Sequence, residues 1–145
     1  MRKLGLDVGK ARIGIAISQG SLSLPHSTLA NSERALSSLI EMLKDEQISC
    51  VYVGLPLSLS GNHTGSTQMA IDFATQLANL SDTPVRLIDE RLTTKSAGDA
   101  LRSAGKNSRQ QKGIIDASAA AMILDFALSS EKGSFAGKSL EELNA

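Results

Sequence analysis

Ile48 to Pro56 reads ISCVYVGLP, a near-continuous apolar run that ends in Gly54 and Pro56. A strand with that pattern is covered on both faces, as parallel strands usually are, so the run predicts a central strand. The chain opens with a different signature, LGLDVGKARIGIAIS from Leu4 to Ser18. Its side chains alternate, putting Leu4, Leu6, Val8, Ile13, Ile15 and Ile17 on one face and Gly5, Asp7, Gly14 and Ala16 on the other. This is a hairpin turning through GKAR. Asp7 is its anomaly, because a carboxylate in a strand bound for the core is costly unless a cation or hydrogen bonds meet it.

The remaining segments complete an α/β order. SLSLPHSTL within 21–29 predicts a third strand, placed at the sheet edge by Pro25, which has no N–H to donate. A helix is expected over 33–44, capped by Asn31 or Ser32, with Leu36, Leu39, Ile40 and Leu43 at helical spacing. A Gly- and Ser-rich loop then leads to a helix over 68–80 with Ala70, Ile71, Ala74, Leu77 and Ala78 on one stripe. VRLIDE after Pro84 is a short strand ending in two acids. RLTTKSAGDALRSAG predicts a short helix capped by Thr93 or Thr94 and stopped by Gly105. A last helix starts at Ser108 or Gly113 and runs to Ser130. The order βββαβαβαα, with no linker or internal repeat, gives a single domain over 1–132 on a mixed five-stranded sheet. Residues 133–145 are expected to form a flexible tail.

Composition narrows the setting. At 145 residues and 41% hydrophobic the chain suits one sizeable core, while aromatics at 3% leave that core to aliphatic side chains. The single cysteine, Cys50, excludes an internal disulfide and a thiolate metal cluster, and burial is its expected role. With no secretory pattern and no apolar run of membrane-spanning length, a cytoplasmic protein without a membrane partner is expected. Net charge is zero, so bulk electrostatics does not favour nucleic acid. Between Asp99 and Asp116, however, Arg102, Lys106, Arg109 and Lys112 occur without an acid, a segment suited to tracking phosphates if it lies beside a site. His26 and His63 are unclustered and read as surface residues. Gly54, Pro56 and Gly61 lack the ending of a phosphate-binding loop and read as a tight turn.

The acids form the chemical signal. Asp7 lies near the end of the first strand and Asp89 and Glu90 close the fifth. On the last helix Asp116 shares its face with Ala119, Ala120, Ile123 and Ala127, whereas Asp125 points the other way. Asp7, Asp116 and one of Asp89 or Glu90 can therefore meet at one sheet edge. Carboxylates that close repel unless protonated or bridged by cations, and oxygen-only donors select hard ions such as Mg²⁺ or Mn²⁺.

LGLDVGKARIGIAIS, VYVGLPLSLSG, DERLTT and KGIIDASAAAMIL, in that order, resemble the YqgF family of pre-16S rRNA nucleases, relatives of the RuvC Holliday junction resolvases. The resemblance implies a ribonuclease H-like fold, with catalytic and metal-holding acids at Asp7, Glu90 and Asp116. RuvC-type resolvases carry a second acid three residues further along the last helix; here that residue is Ala119, which leaves a three-acid site.

The implied activity is Mg²⁺-dependent hydrolysis of phosphodiester bonds during processing of pre-16S rRNA ends in ribosome biogenesis. Two ions, with Asp7 between them, would generate hydroxide and stabilise the leaving oxygen. Lys112, Arg12, Arg91, Arg109 and Lys106 would meet phosphates of a structured RNA, and Asp89 reads as a supporting residue. A homo-oligomer is compatible with this reading. The alternatives are a noncatalytic RNA- or ribosome-associated module, a DNA junction resolvase-like nuclease and, less suited to 145 residues, a phosphotransferase of the actin-like type.

Overall fold

The structure, a computed structural model, describes residues 2–92, 108–132 and 138–139. The expected hairpin is β1 (Arg2–Val8) and β2 (Arg12–Gln19), followed by β3 (Leu22–Ala30), α1 (Ala35–Asp45), β4 (Ile48–Leu55), α2 (Gly65–Leu80) and β5 (Val85–Asp89). A 3-10 turn (Glu90–Leu92), α3 (Ser108–Lys132) and β6 (Lys138–Ser139) complete the elements. The sheet runs β3-β2-β1-β4-β5-β6. β1, β4 and β5 are parallel to one another, while β2, β3 and β6 run antiparallel to their neighbours.

Both faces of the sheet are covered, as the apolar run in β4 requires. The Leu4, Leu6, Ile13 and Ile15 face packs against α1 through Leu39 and Leu43 and against α2 through Ala70, Ala74 and Leu77. On the opposite face Ala16, Tyr52 and Ile88 meet Ala120, Ile123, Leu124 and Ala127 of α3. That second interface is close because the hairpin contributes almost no side chain there. A Cβ built on Gly5 would stand 2.7 Å from the Ala120 carbonyl oxygen, and one on Gly14 only 2.0 Å from that of Asp116. α3, about 37 Å long at the ordinary helical rise, thus lies on the backbone of β1 and β2.

Pro25 does mark an edge: β3 ends the sheet, and its register slips opposite Ile15 and Ala16 where the proline enters the ladder. Several local expectations change. α1 begins at Ala35 with Arg34 at its cap and no side-chain capping bond. Asn31, expected as a cap, instead donates from Nδ2 to the Gly9 carbonyl at 2.7 Å, which ties the end of β3 to the β1–β2 turn. α2 starts three residues earlier than expected because Thr64 and Thr67 form a capping box. Cys50 is half-buried rather than enclosed. The sheet has six strands instead of five, since Lys138 and Ser139 pair with Leu87 and Arg86. Two residues show no alternation that a sequence pattern could reveal. The helix expected to end at Gly105 falls outside the described residues.

Candidate active site

Asp7 sits on β1 with its side chain on the α3 face, directly across the ladder from Gly14. That pairing brings in Asp116, because Gly14 is the position onto which the Asp116 backbone packs. The third acid arrives from β5. Leu55 of β4 pairs with Asp89, so Glu90 follows where both parallel strands end. Gly54 makes room for it: a Cβ there would lie 3.0 Å from Glu90 Cγ and 2.5 Å from Ile123 Cδ1. Gly54, which the sequence suggests only as part of a turn, therefore admits the Glu90 side chain and the end of Ile123.

The electrostatics record this convergence. The Asp7 carboxyl is pushed up from 3.8 to about 8, first by burial and then by the neighbouring Glu90 charge, a hydrogen bond with Glu90 and the charge of Asp116. Burial and like charge act in the same direction here, since each disfavours the ionised form. Asp116 has a counter-charge, for Arg12 Nε donates to its Oδ2 at 2.6 Å. Asp125, on the same helix, is exposed, as the helical phase predicts.

Arg91, which follows Glu90 in the chain, is held by Asp89. Asp89 Oδ1 accepts from the Arg91 backbone N–H at 2.9 Å and from Nε at 3.1 Å, while its Oδ2 accepts from Nη2 at 2.7 Å. The first of these is a local Asx turn, which an Asp at a strand end can form with the backbone two residues on. Arg91 Nη1 also donates to the Leu59 carbonyl at 3.4 Å, bracing the loop between β4 and α2. That loop closes on itself through Ser58, Gly61 and Asn62. Arg109 and Lys112 lie in the first turns of α3, with Lys112 four residues before Asp116. Lys106 lies outside the described residues.

Among the described residues no three His, Cys, Asp or Glu side chains are already gathered as a metal cage. The donor set nevertheless suits a hard cation. Asp7, Glu90 and Asp116 offer only oxygen, and Asp7 and Glu90 stand close enough to hydrogen-bond, an arrangement that a proton or a cation must balance.

The sequence profile of the family described as "RuvX: Holliday junction resolvase" matches residues 1–130. The chain belongs to the RuvX family. A relative named "Putative pre-16S rRNA nuclease" from Leifsonia xyli subsp. xyli (strain CTCB07) is 45% identical, over 90% of this chain and 86% of that protein. Another of the same name, from Anaeromyxobacter sp. (strain Fw109-5), is 41% identical over 86% of this chain and 93% of its own length. Among solved structures, Thermus thermophilus RuvC in complex with a Holliday junction substrate superposes with a TM-score of 0.61 and 17% identity, covering 92% of this chain and 97% of that one. At that identity the likeness concerns the fold, which is the ribonuclease H-like architecture expected of a RuvX chain. Among the described residues no helix is long and apolar enough to cross a membrane.

Proposed function

We propose that this chain is a divalent-cation-dependent nuclease, a hydrolase that cleaves phosphodiester bonds at the ends of pre-16S rRNA in the bacterial cytoplasm. RuvX membership and the names of its relatives support the nuclease class and the RNA. The observation that carries the chemistry is the carboxyl of Asp7, raised to about 8 by burial and by Glu90 and Asp116, which reach it from two other elements. Partly buried acids drawn together at the carboxyl ends of parallel strands cost stability, and such costs are typical of functional sites.

Asp7, Glu90 and Asp116 would hold Mg²⁺ or Mn²⁺. When bound, such ions activate water and neutralise charge on the phosphoryl group and the leaving oxygen. The chain's own residues provide the setting. β1 and β2 supply a flat platform, α3 carries Asp116 down onto it, and the end of β5 delivers Glu90. Arg12, bonded to Asp116, brings positive charge to these acids, and Arg91, Lys106, Arg109 and Lys112 would add contacts along a phosphate backbone crossing the carboxyl edge of the sheet. Structured RNA is the favoured partner. Specificity among nucleic acids then depends on groove shape and 2′-hydroxyl contacts.

A second reading, cleavage of four-way DNA junctions, draws on the family description. Ala119 weighs against it, standing where RuvC-type resolvases carry another acid. The deciding experiment compares Mg²⁺-dependent cleavage of precursor 16S rRNA ends, single-stranded RNA and four-way DNA junctions. Preferential cleavage of the precursor is expected. Preference for the junction would reverse the substrate, and no cleavage of any of the three would leave a noncatalytic RNA-binding module.

A further inference from the structure

Arg12 opens β2, and its one bond to Asp116 joins positions 104 apart in the chain. The contact is a short, charge-assisted one made through Nε, so the outer Nη edge of the guanidinium is not what holds the carboxylate. Both side chains are only partly exposed, 39% for Arg12 and 21% for Asp116, so water screens their interaction incompletely. The backbone beneath Arg12 is fixed, because its carbonyl accepts the Gly9 N–H at 2.8 Å and Ile13 is paired with Val8. Any exchange at this point therefore involves the long side chain alone.

The inference rests on the reading of Asp7, Glu90 and Asp116 as holders of a divalent cation. A carboxylate oxygen that accepts from a guanidinium is less available to a second cation, and two cations against one small anion repel each other. We propose that Arg12 competes with the divalent cation for Asp116, and that the guanidinium displaced by the cation turns to a phosphate of the nucleic acid. Arginine suits both positions, since its planar fork pairs equally with carboxylate and phosphate. The consequence is ordered assembly. Metal frees Arg12 for the nucleic acid, nucleic acid that engages Arg12 frees Asp116 for metal, and by linkage the two effects are equal in size.

Mg²⁺ titrations by calorimetry on wild type, Arg12→Gln and Arg12→Lys test this in the absence of RNA. Arg12→Gln should bind Mg²⁺ roughly five- to tenfold more tightly, at the low end of ordinary couplings between sites. Arg12→Lys, which keeps the charge, should remain near wild type. Unchanged or weaker Mg²⁺ binding by folded Arg12→Gln would overturn the proposal, weaker binding meaning that Arg12 orients Asp116 for the metal. A measurement on wild type avoids any folding defect: the Arg12 Nε–H resonance should shift as Mg²⁺ saturates the protein, and a resonance that stays fixed during saturation would also overturn the proposal. Wild type that takes up no Mg²⁺ would instead defeat the carboxylate site itself.

Discussion

The carbonyl oxygen of Asp116 lies 2.0 Å from the point that a Cβ on Gly14 would occupy, and Gly14 stands directly across the ladder from Asp7. A glycine therefore sets the separation between two of the three candidate acids. Gly14→Ala must move α3 or the hairpin, because the obstructing atoms are backbone on both sides. We expect a loss of about 1–3 kcal/mol in stability, measured by denaturant unfolding, from the strain of overpacking. Cleavage should fall further than the folded fraction does. Wild-type stability in this variant would show that α3 does not rest on the sheet in this way.

The raised Asp7 carboxyl has a definite effect on stability. Its folded value is about 8 against an ordinary 3.8, so between those limits the folded chain binds more protons than the unfolded one. Stability from this group is fully present below about pH 4 and is lost as pH rises through about 8. In the presence of a chelator, the melting temperature should fall across that window. Asp7→Asn should flatten the dependence and melt above wild type near pH 8 while losing activity, the trade expected of a functional acid. A melting temperature insensitive to Asp7→Asn near pH 8 would contradict the burial assigned to this carboxyl.

At the other end of α3, Lys3 Nζ donates to Glu131 Oε1 at 2.6 Å and Oε2 at 2.5 Å, and the Tyr52 hydroxyl donates to Oε1 as well. Burial opposes ionisation of Glu131, but the bonds from Lys3 and Tyr52 outweigh it and hold the carboxyl below the usual range. This cluster pins the helix whose earlier turns carry Asp116. Glu131→Gln should cost about 1.5–3 kcal/mol by thermal or chemical unfolding, the range for bonds to a charged group. No measurable loss would mean that the small-residue interface alone fixes the helix.

Arg91 braces the loop after β4 by holding Asp89 and the Leu59 carbonyl together. Arg91→Ala should leave global stability within about 0.5 kcal/mol, as is usual for an exposed site. Amide exchange across 58–62 should accelerate. Unaltered exchange in that loop would remove Arg91 from the bracing role.

Those features of the site that depend on strand and helix phase were legible in the sequence. Alternation in the hairpin places Asp7 opposite the apolar set, small residues on that face leave space for a helix, and the 100° step turns Asp116 inward and Asp125 outward. Features that depend on tertiary meeting were not. Nothing local pairs Arg12 with Asp116, because the contact exists only once α3 has been laid across β2. Asn31 is an acceptable cap by type, yet a carbonyl from the neighbouring turn takes its amide. Gly54 looks like a turn residue until Glu90 and Ile123 are seen to fill the space above it.

Asp7, Glu90 and Asp116 are predicted to act together in hydrolysis. The most direct measurement is the Mg²⁺-dependent cleavage rate of a precursor 16S rRNA end by wild type and by Asp7→Asn, Glu90→Gln and Asp116→Asn, each verified as folded. Every substitution should reduce the rate by roughly 10²–10³-fold, the scale on which removal of one electrostatic group from a reacting centre is felt. Cleavage by Asp7→Asn at the wild-type rate would contradict the assignment.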